Sequence, residues 1–147
     1  MTFEQIWESS RHNDYSWMLP SVLCVGTLVL ILLNWIRKPA ARRVLKVLLA
    51  ITFTYLAVQA SSAAIFEKWR IRYEWGKQNR SSVTEQEDTA LCADGANLLM
   101  GPFIYGGGYS FWCFGATLVG SSIIRRAISK KSQQVSAGDT PKGAPEK

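Results

Sequence analysis

Three long apolar runs, 17–36, 47–66 and 103–124, divide the chain, and none contains a charged residue. A helix rises about 1.5 Å per residue, so some 20 residues cover the ~30 Å hydrocarbon core of a bilayer. A buried helix of a soluble bundle would show polar positions at helical spacing, whereas the stretch 22–33 offers only Gly26 and Thr27 as interruptions. The pattern predicts an all-α membrane protein with three transmembrane helices in a small bundle.

The connecting segments carry nearly all the charge, and its sign alternates. The N-terminal tail 1–16 sums to −2, the loop 37–46 to +5 with no acid, the stretch 67–99 to −1, and the end 124–147 to +4, which together give the net charge of +6. Lys and Arg next to a span resist translocation. The expected topology is therefore N-terminus out, loop 37–46 in, segment 67–102 out, and tail 125–147 in. An acidic rather than basic N-terminal region, with no small-x-small site after Leu33, predicts that the first span stays attached rather than being cleaved as a signal peptide. Leu23, standing before Cys24 where a small residue is required, makes lipidation there an unexpected outcome.

In lipid, helices associate through close backbone approach and polar contacts, so small residues mark the contact face. The third run has Gly106, Ser110, Cys113, Thr117 and Gly120 with Ser121 at steps of three and four, on one helical face. The second run has Ala50, Thr54, Ala57, Ser61 and Ala64 at the same spacing; the first, less purely, has Pro20, Cys24, Thr27, Ile31 and Asn34. Three inward stripes make one compact bundle. The alternative is that the third stripe faces a second copy of the chain or another membrane protein. A helix starting only after Gly106, Gly107 and Gly108 would span about 24 Å, short of the core. The glycines are therefore expected inside the span near its outer end, as a close contact or bend, with a gate or a ligand contact as the alternative.

Aromatic residues mark the interfaces: Trp17 and Trp35 bracket the first run, and Trp69, Tyr73 and Trp75 follow the second. The last three alternate with charges, which suits either a strand on the headgroups or a continuation of the second helix; the helix, with Phe66, Trp69 and Tyr73 on one side, is preferred. The chain is expected to break at 76–82. Ser82 and Glu85 then have capping-box spacing, starting a short helix over 83–93 that ends near Asp94 and Gly95, with Asp94 and Asn97 as turn residues. From Lys130 the composition of Ser, Gln, Gly, Pro and Lys predicts a disordered basic tail, and Arg125, Arg126, Lys130 and Lys131 are placed to attract anionic lipid headgroups at the cytoplasmic face.

Asp94, Gly95, Ala96 and Asn97, followed by an apolar run from Leu98, resemble a pattern in uncharacterised small bacterial inner-membrane proteins, which carry Asp-Gly-Ala ahead of their last span. The resemblance covers about ten residues. It implies a bacterial inner-membrane location and brings no activity with it.

Composition adds little beyond this frame. The chain has 147 residues, 48% of them apolar, and 12% aromatics and three Cys, which exclude a disordered chain and a disulfide scaffold. Its single His, His12, lies in the N-terminal tail, and Cys24, Cys92 and Cys113 show no C-x-x-C spacing. No catalytic residue, metal site, cofactor site or phosphate loop is expected, and the absence of an ionisable residue within a run argues against a proton relay. An enzyme and a nucleic-acid binder are both disfavoured. Two readings remain: an accessory or scaffold protein that interacts with other membrane proteins, and a self-assembling pore similar to phage holins with three spans, an outer N-terminus and a basic inner tail.

Overall fold

A computed structural model describes residues 2–138, with side chains up to residue 128. Among the described residues there are five α-helices and no strand: α1 (Phe3–Ser9), α2 (Met18–Leu32), α3 (Pro39–Gln78), α4 (Glu85–Pro102) and α5 (Gly108–Gly138). A single 3-10 turn, Leu33–Trp35, ends α2, and a π-helical segment, Phe103–Gly107, joins α4 to α5.

The longest helix organises the fold. At 40 residues, α3 extends about 60 Å, twice what its apolar stretch requires, and both ends project beyond the apolar run. Pro39 starts it at a position where the missing N–H is no loss. The helix then runs without a break through Trp69, Tyr73 and Trp75. α2 and α5 lie antiparallel to the first half of α3, while α4 folds back along its second half as a helical hairpin.

α2 and α3 each contain a window long and apolar enough to cross a bilayer. The third apolar run does not form one uniform helix. Pro102 supplies no N–H and its ring crowds the preceding turn, and the wide π turn follows immediately. The glycine run is therefore neither a loop nor regular α-helix: Gly106 and Gly107 close the π segment and Gly108 opens α5.

Gly106 lets the π-helical segment come directly against the backbone of α3. A Cβ placed there would lie 2.6 Å from both the Ala57 carbonyl oxygen and the Val58 Cα. One turn on, the Ser110 hydroxyl donates back to the Gly106 carbonyl at 2.5 Å. Ala57 and Ser110 are fully buried, with Ser61 and Ala60 nearly so. At the centre, Gly26 of α2 leaves room for two rings: its Cβ would meet Phe114 at 2.8 Å and Phe53 at 2.9 Å. Leu30 and Phe114 complete this core.

Several expectations are corrected. The buried face of α2 runs through Gly26 and Leu30, whereas Cys24 is exposed and Ile31 nearly half-exposed, so the face is rotated from the one traced through Thr27. The reason is steric, because only Gly26 admits the two phenyl rings. Gly120 is not a close contact: nothing lies within 4 Å of a Cβ built there. The capping box falls on Thr84 and Glu87 rather than Ser82 and Glu85, since the Ser82 hydroxyl is taken by the Asn79 carbonyl at the end of α3. The helix expected to stop at Asp94 continues to Pro102. The Asp94 carboxylate is held by another helix and is not free to form a turn with its own backbone. The N-terminal stretch is not a bare tail but holds α1, and α5 carries on to Gly138 beyond the expected helix end. The remainder of that tail, 139–147, lies outside the described residues.

Candidate functional site

The most tightly built cluster stands at the hairpin end, around Arg72. This residue is 1% exposed and is the largest fully buried side chain among the described residues. Helix spacing puts Ile65, Trp69, Arg72 and Gly76 on the face of α3 that meets α4. Opposite them stand Gly101, Gly95, Asp94 and Leu91 respectively. The Arg72 Nη1 donates to Asp94 Oδ2 at 2.5 Å, Nε donates to the Ser10 hydroxyl at 2.7 Å, and Nη2 donates to the Trp7 carbonyl at 3.0 Å. The Trp7 ring covers the guanidinium at 3.4 Å.

A charge this deep is tolerable only when paired and hydrogen-bonded, and no buried side-chain polar atom among the described residues lacks a partner. Lys68 stands 4.0 Å from the other Asp94 oxygen. Burial pushes its ammonium below the usual lysine range, Arg72 adds to that effect, and Asp94 partly opposes it. On the solvent side Arg70 pairs with Glu67 at 2.5 Å, which raises the guanidinium's already high pKa.

The N-terminal helix exists in order to close this cluster. Thr2 and Gln5 form a reciprocal capping box that starts a helix too short to persist alone. Phe3 stacks on Trp7 at 4.9 Å and leans on Trp75 at 5.7 Å. Following the helix, the Asn13 side-chain amide donates to the Ala64 carbonyl at 2.7 Å, tying the connector to α3.

Beside the cluster a cavity of about 600 Å³ opens between the end of α3 and the start of α4. Trp69 and Tyr73, stacked at 4.9 Å, form its aromatic wall. Lys77 of α3 and Arg80 just beyond it line one side, and Glu85, Asp88 and the free thiol of Cys92, all on α4, line the other.

A second polar cluster closes the opposite, basic end. Lys46 donates to Asn34 Oδ1 at 2.8 Å and to the Ser121 hydroxyl at 3.0 Å. Arg125 donates to the Asn34 carbonyl, and Arg42 to the Ile36 carbonyl at 3.1 Å. Cations thus gather on the carbonyls of the 3-10 turn that ends α2 and of Ile36 just after it, close to the end where the helix dipole is negative. Partial burial holds Lys46 below its usual range, and the repulsion of Arg125 and Arg42 pushes it further down.

The small residues marked from sequence divide between these regions. Gly106, Ser110, Ala57 and Ser61 are brought together in the bundle; Cys113 and Thr117 are half-buried, with the Thr117 hydroxyl on the Cys113 carbonyl. Thr27 is half-buried, and Asn34 belongs to the basic cluster. Of the interface aromatics, Trp69 and Trp75 are half-buried in the hairpin, Tyr73 lines the cavity, and Trp17 and Trp35 are exposed. Arg72, Trp7 and Ser10 were not marked, and Asp94 was marked only as a turn residue and as part of the Asp-Gly-Ala pattern, whereas its carboxylate pairs with Arg72. No group of three or more metal-ligating side chains occurs among the described residues. Comparison with known proteins finds no matching family model, no similar curated protein and no similar solved structure.

Proposed function

We propose that this chain is a small multi-pass membrane protein of the accessory or scaffold kind, displaying a fixed helical platform at the outer surface of a bacterial inner membrane and binding other membrane proteins there. Support for the membrane setting comes from the exposure of its apolar surface. Only 11% of the Met18–Trp35 window and 22% of the α3 window are buried, so neither behaves as the core helix of a soluble protein. With the positive-inside rule, 37–46 and the end of α5 face the cytoplasm, and α1 and the α3–α4 hairpin face outward.

The observation that carries the functional reading is Arg72, whose side chain locks three separate segments into one body. A rigid outer platform with a groove rimmed by both charges is what a docking protein requires. The pore reading, similar to holins, needs a polar outward face to line a wet lumen between copies, whereas the outward faces carry Leu28, Leu32, Ile51, Phe111, Trp112 and Val119. Reconstitution into dye-loaded vesicles tests the choice. The accessory reading expects retained dye, and discrete crosslinked complexes in cells from a photoreactive residue at position 88. Rapid dye release with crosslinks only between copies of the chain would replace it with the pore.

A further inference from the structure

We infer that the basic end is a binding site for the phosphate group of an anionic membrane lipid, formed by Arg42, Lys46 and Arg125 around the C-terminal turn of α2. The inference rests on the membrane reading, because it needs this end to lie at a bilayer surface.

Three facts converge on it. First, the three cations come from two helices yet meet on one short stretch, the backbone and side chain of Asn34 and the carbonyl of Ile36. They are held in place, not waving in solvent. Second, no acidic side chain pairs with them among the described residues. The sequence has no acid between Asp14 and Glu67 or between Asp94 and Asp139. The C-terminal end of a helix contributes only about half a negative charge, which leaves roughly two and a half positive charges uncompensated. The positive-inside rule accounts for cations on this side and helix capping for one of them at the end of α2, but neither requires three to converge on one turn. Third, Lys46 directly precedes the apolar run of α3 and Arg125 directly follows that of α5, the depth at which lipid phosphates lie. The depressed pKa of Lys46, caused by partial burial and then by Arg125 and Arg42, is the sign of a site that an anion would relieve.

Arg125 uses one guanidinium nitrogen on Asn34, and Arg42 uses one on Ile36. Each keeps further N–H donors for a phosphate, which arginine binds through two parallel bonds. The site thus prefers a phosphate with no attached cation, as in phosphatidic acid or phosphatidylglycerol, over phosphatidylcholine, whose choline cancels the charge.

The test uses the full chain purified in detergent and titrated with short-chain phosphatidic acid, short-chain phosphatidylcholine and inorganic phosphate, with binding read by native mass spectrometry. Phosphatidic acid is expected to bind at least tenfold more tightly than either comparator. Each charge near a membrane surface is worth a factor of about five. Arg42→Gln/Arg125→Gln should therefore weaken phosphatidic acid binding by roughly 25-fold. The charge-matched Arg43→Gln/Arg126→Gln, altering exposed neighbours that cap nothing, should weaken it less than threefold. Equal losses in the two pairs would mean diffuse surface attraction and would overturn the site. Inorganic phosphate binding as tightly as the lipid would overturn the lipid as its occupant. If the cluster pair loses helix content by circular dichroism, Arg42→Gln alone is used, with about a fivefold loss expected and an unchanged affinity contradicting the inference. Flotation with phosphatidylcholine vesicles tests the membrane reading separately: a chain that floats but shows no lipid preference sinks this inference alone.

Discussion

Arg72 and Asp94, 22 positions apart in sequence, meet at 2.5 Å between α3 and α4, with the Trp7 ring closing over the guanidinium. The pair joins a helix that rises out of the apolar bundle to the one that returns to it, and the third partner is the N-terminal helix. Removing one member leaves the other charge buried and unpaired.

Arg72→Ala or Asp94→Ala is expected to destabilise the fold by about 3–5 kcal/mol, the usual range for breaking a buried ion pair. The double variant Arg72→Met/Asp94→Leu should recover much of that loss, since the only charge it leaves without its partner is the half-exposed Lys68. Thermal melts of the four proteins in one detergent check this. Single variants that melt with the parent would mean the pair is not buried.

Trp7→Ala should release α1 while leaving the helical bundle folded. A seven-residue helix is marginal without tertiary contacts, and the ring supplies a desolvated cation–π contact worth about 2 kcal/mol. Hydrogen exchange at the Ile6 and Ser10 amides, both bonded within the helix, should speed up more than tenfold. Exchange in the region around Ala57 should not change.

At the glycines, position decides the outcome. Gly106→Ala places a methyl group 2.6 Å from the backbone of α3, where no side chain can yield, and should cost roughly 1–3 kcal/mol or more. Gly120→Ala meets open space and should change stability by less than about 1 kcal/mol. Accumulation of the two variants in membranes, compared with their melting temperatures, distinguishes them. Equal behaviour would show that the π-helical segment does not approach α3 closely at Gly106.

These cases also show what a sequence reader can and cannot extract. The helical class and the two apolar helices followed from runs without charge, because a hydrocarbon-length stretch has few other uses. The continuation of α3 through Trp69 and Tyr73 was readable from helical spacing. The choice of contact residue was not, because smallness is visible in sequence but the neighbour that needs the space is not. Gly26 matters because Phe53 and Phe114 reach it, and Gly120 has no such neighbour. The start of α4 was misplaced for a similar reason, since the spacing of Ser82 and Glu85 fits the capping pattern but does not show that the Ser82 hydroxyl is already held by the Asn79 carbonyl. Arg72 was counted only as a charge. Its place in line with Ile65, Trp69 and Gly76 was the available signal that this arginine faces another helix, while nothing in the sequence singled out Asp94 among the acids of 67–99 as its partner.

The central claim is that the Arg72 platform and the basic end lie on opposite sides of a membrane, and thiol accessibility tests it most directly. In a Cys24→Ser/Cys113→Ser background, a membrane-impermeant maleimide applied to intact spheroplasts should label Cys92, which is exposed. A cysteine introduced at Arg43, with Cys92→Ser added, should be labelled only after the membrane is permeabilised. Labelling of position 43 in intact spheroplasts, or protection of Cys92 until permeabilisation, would contradict the account.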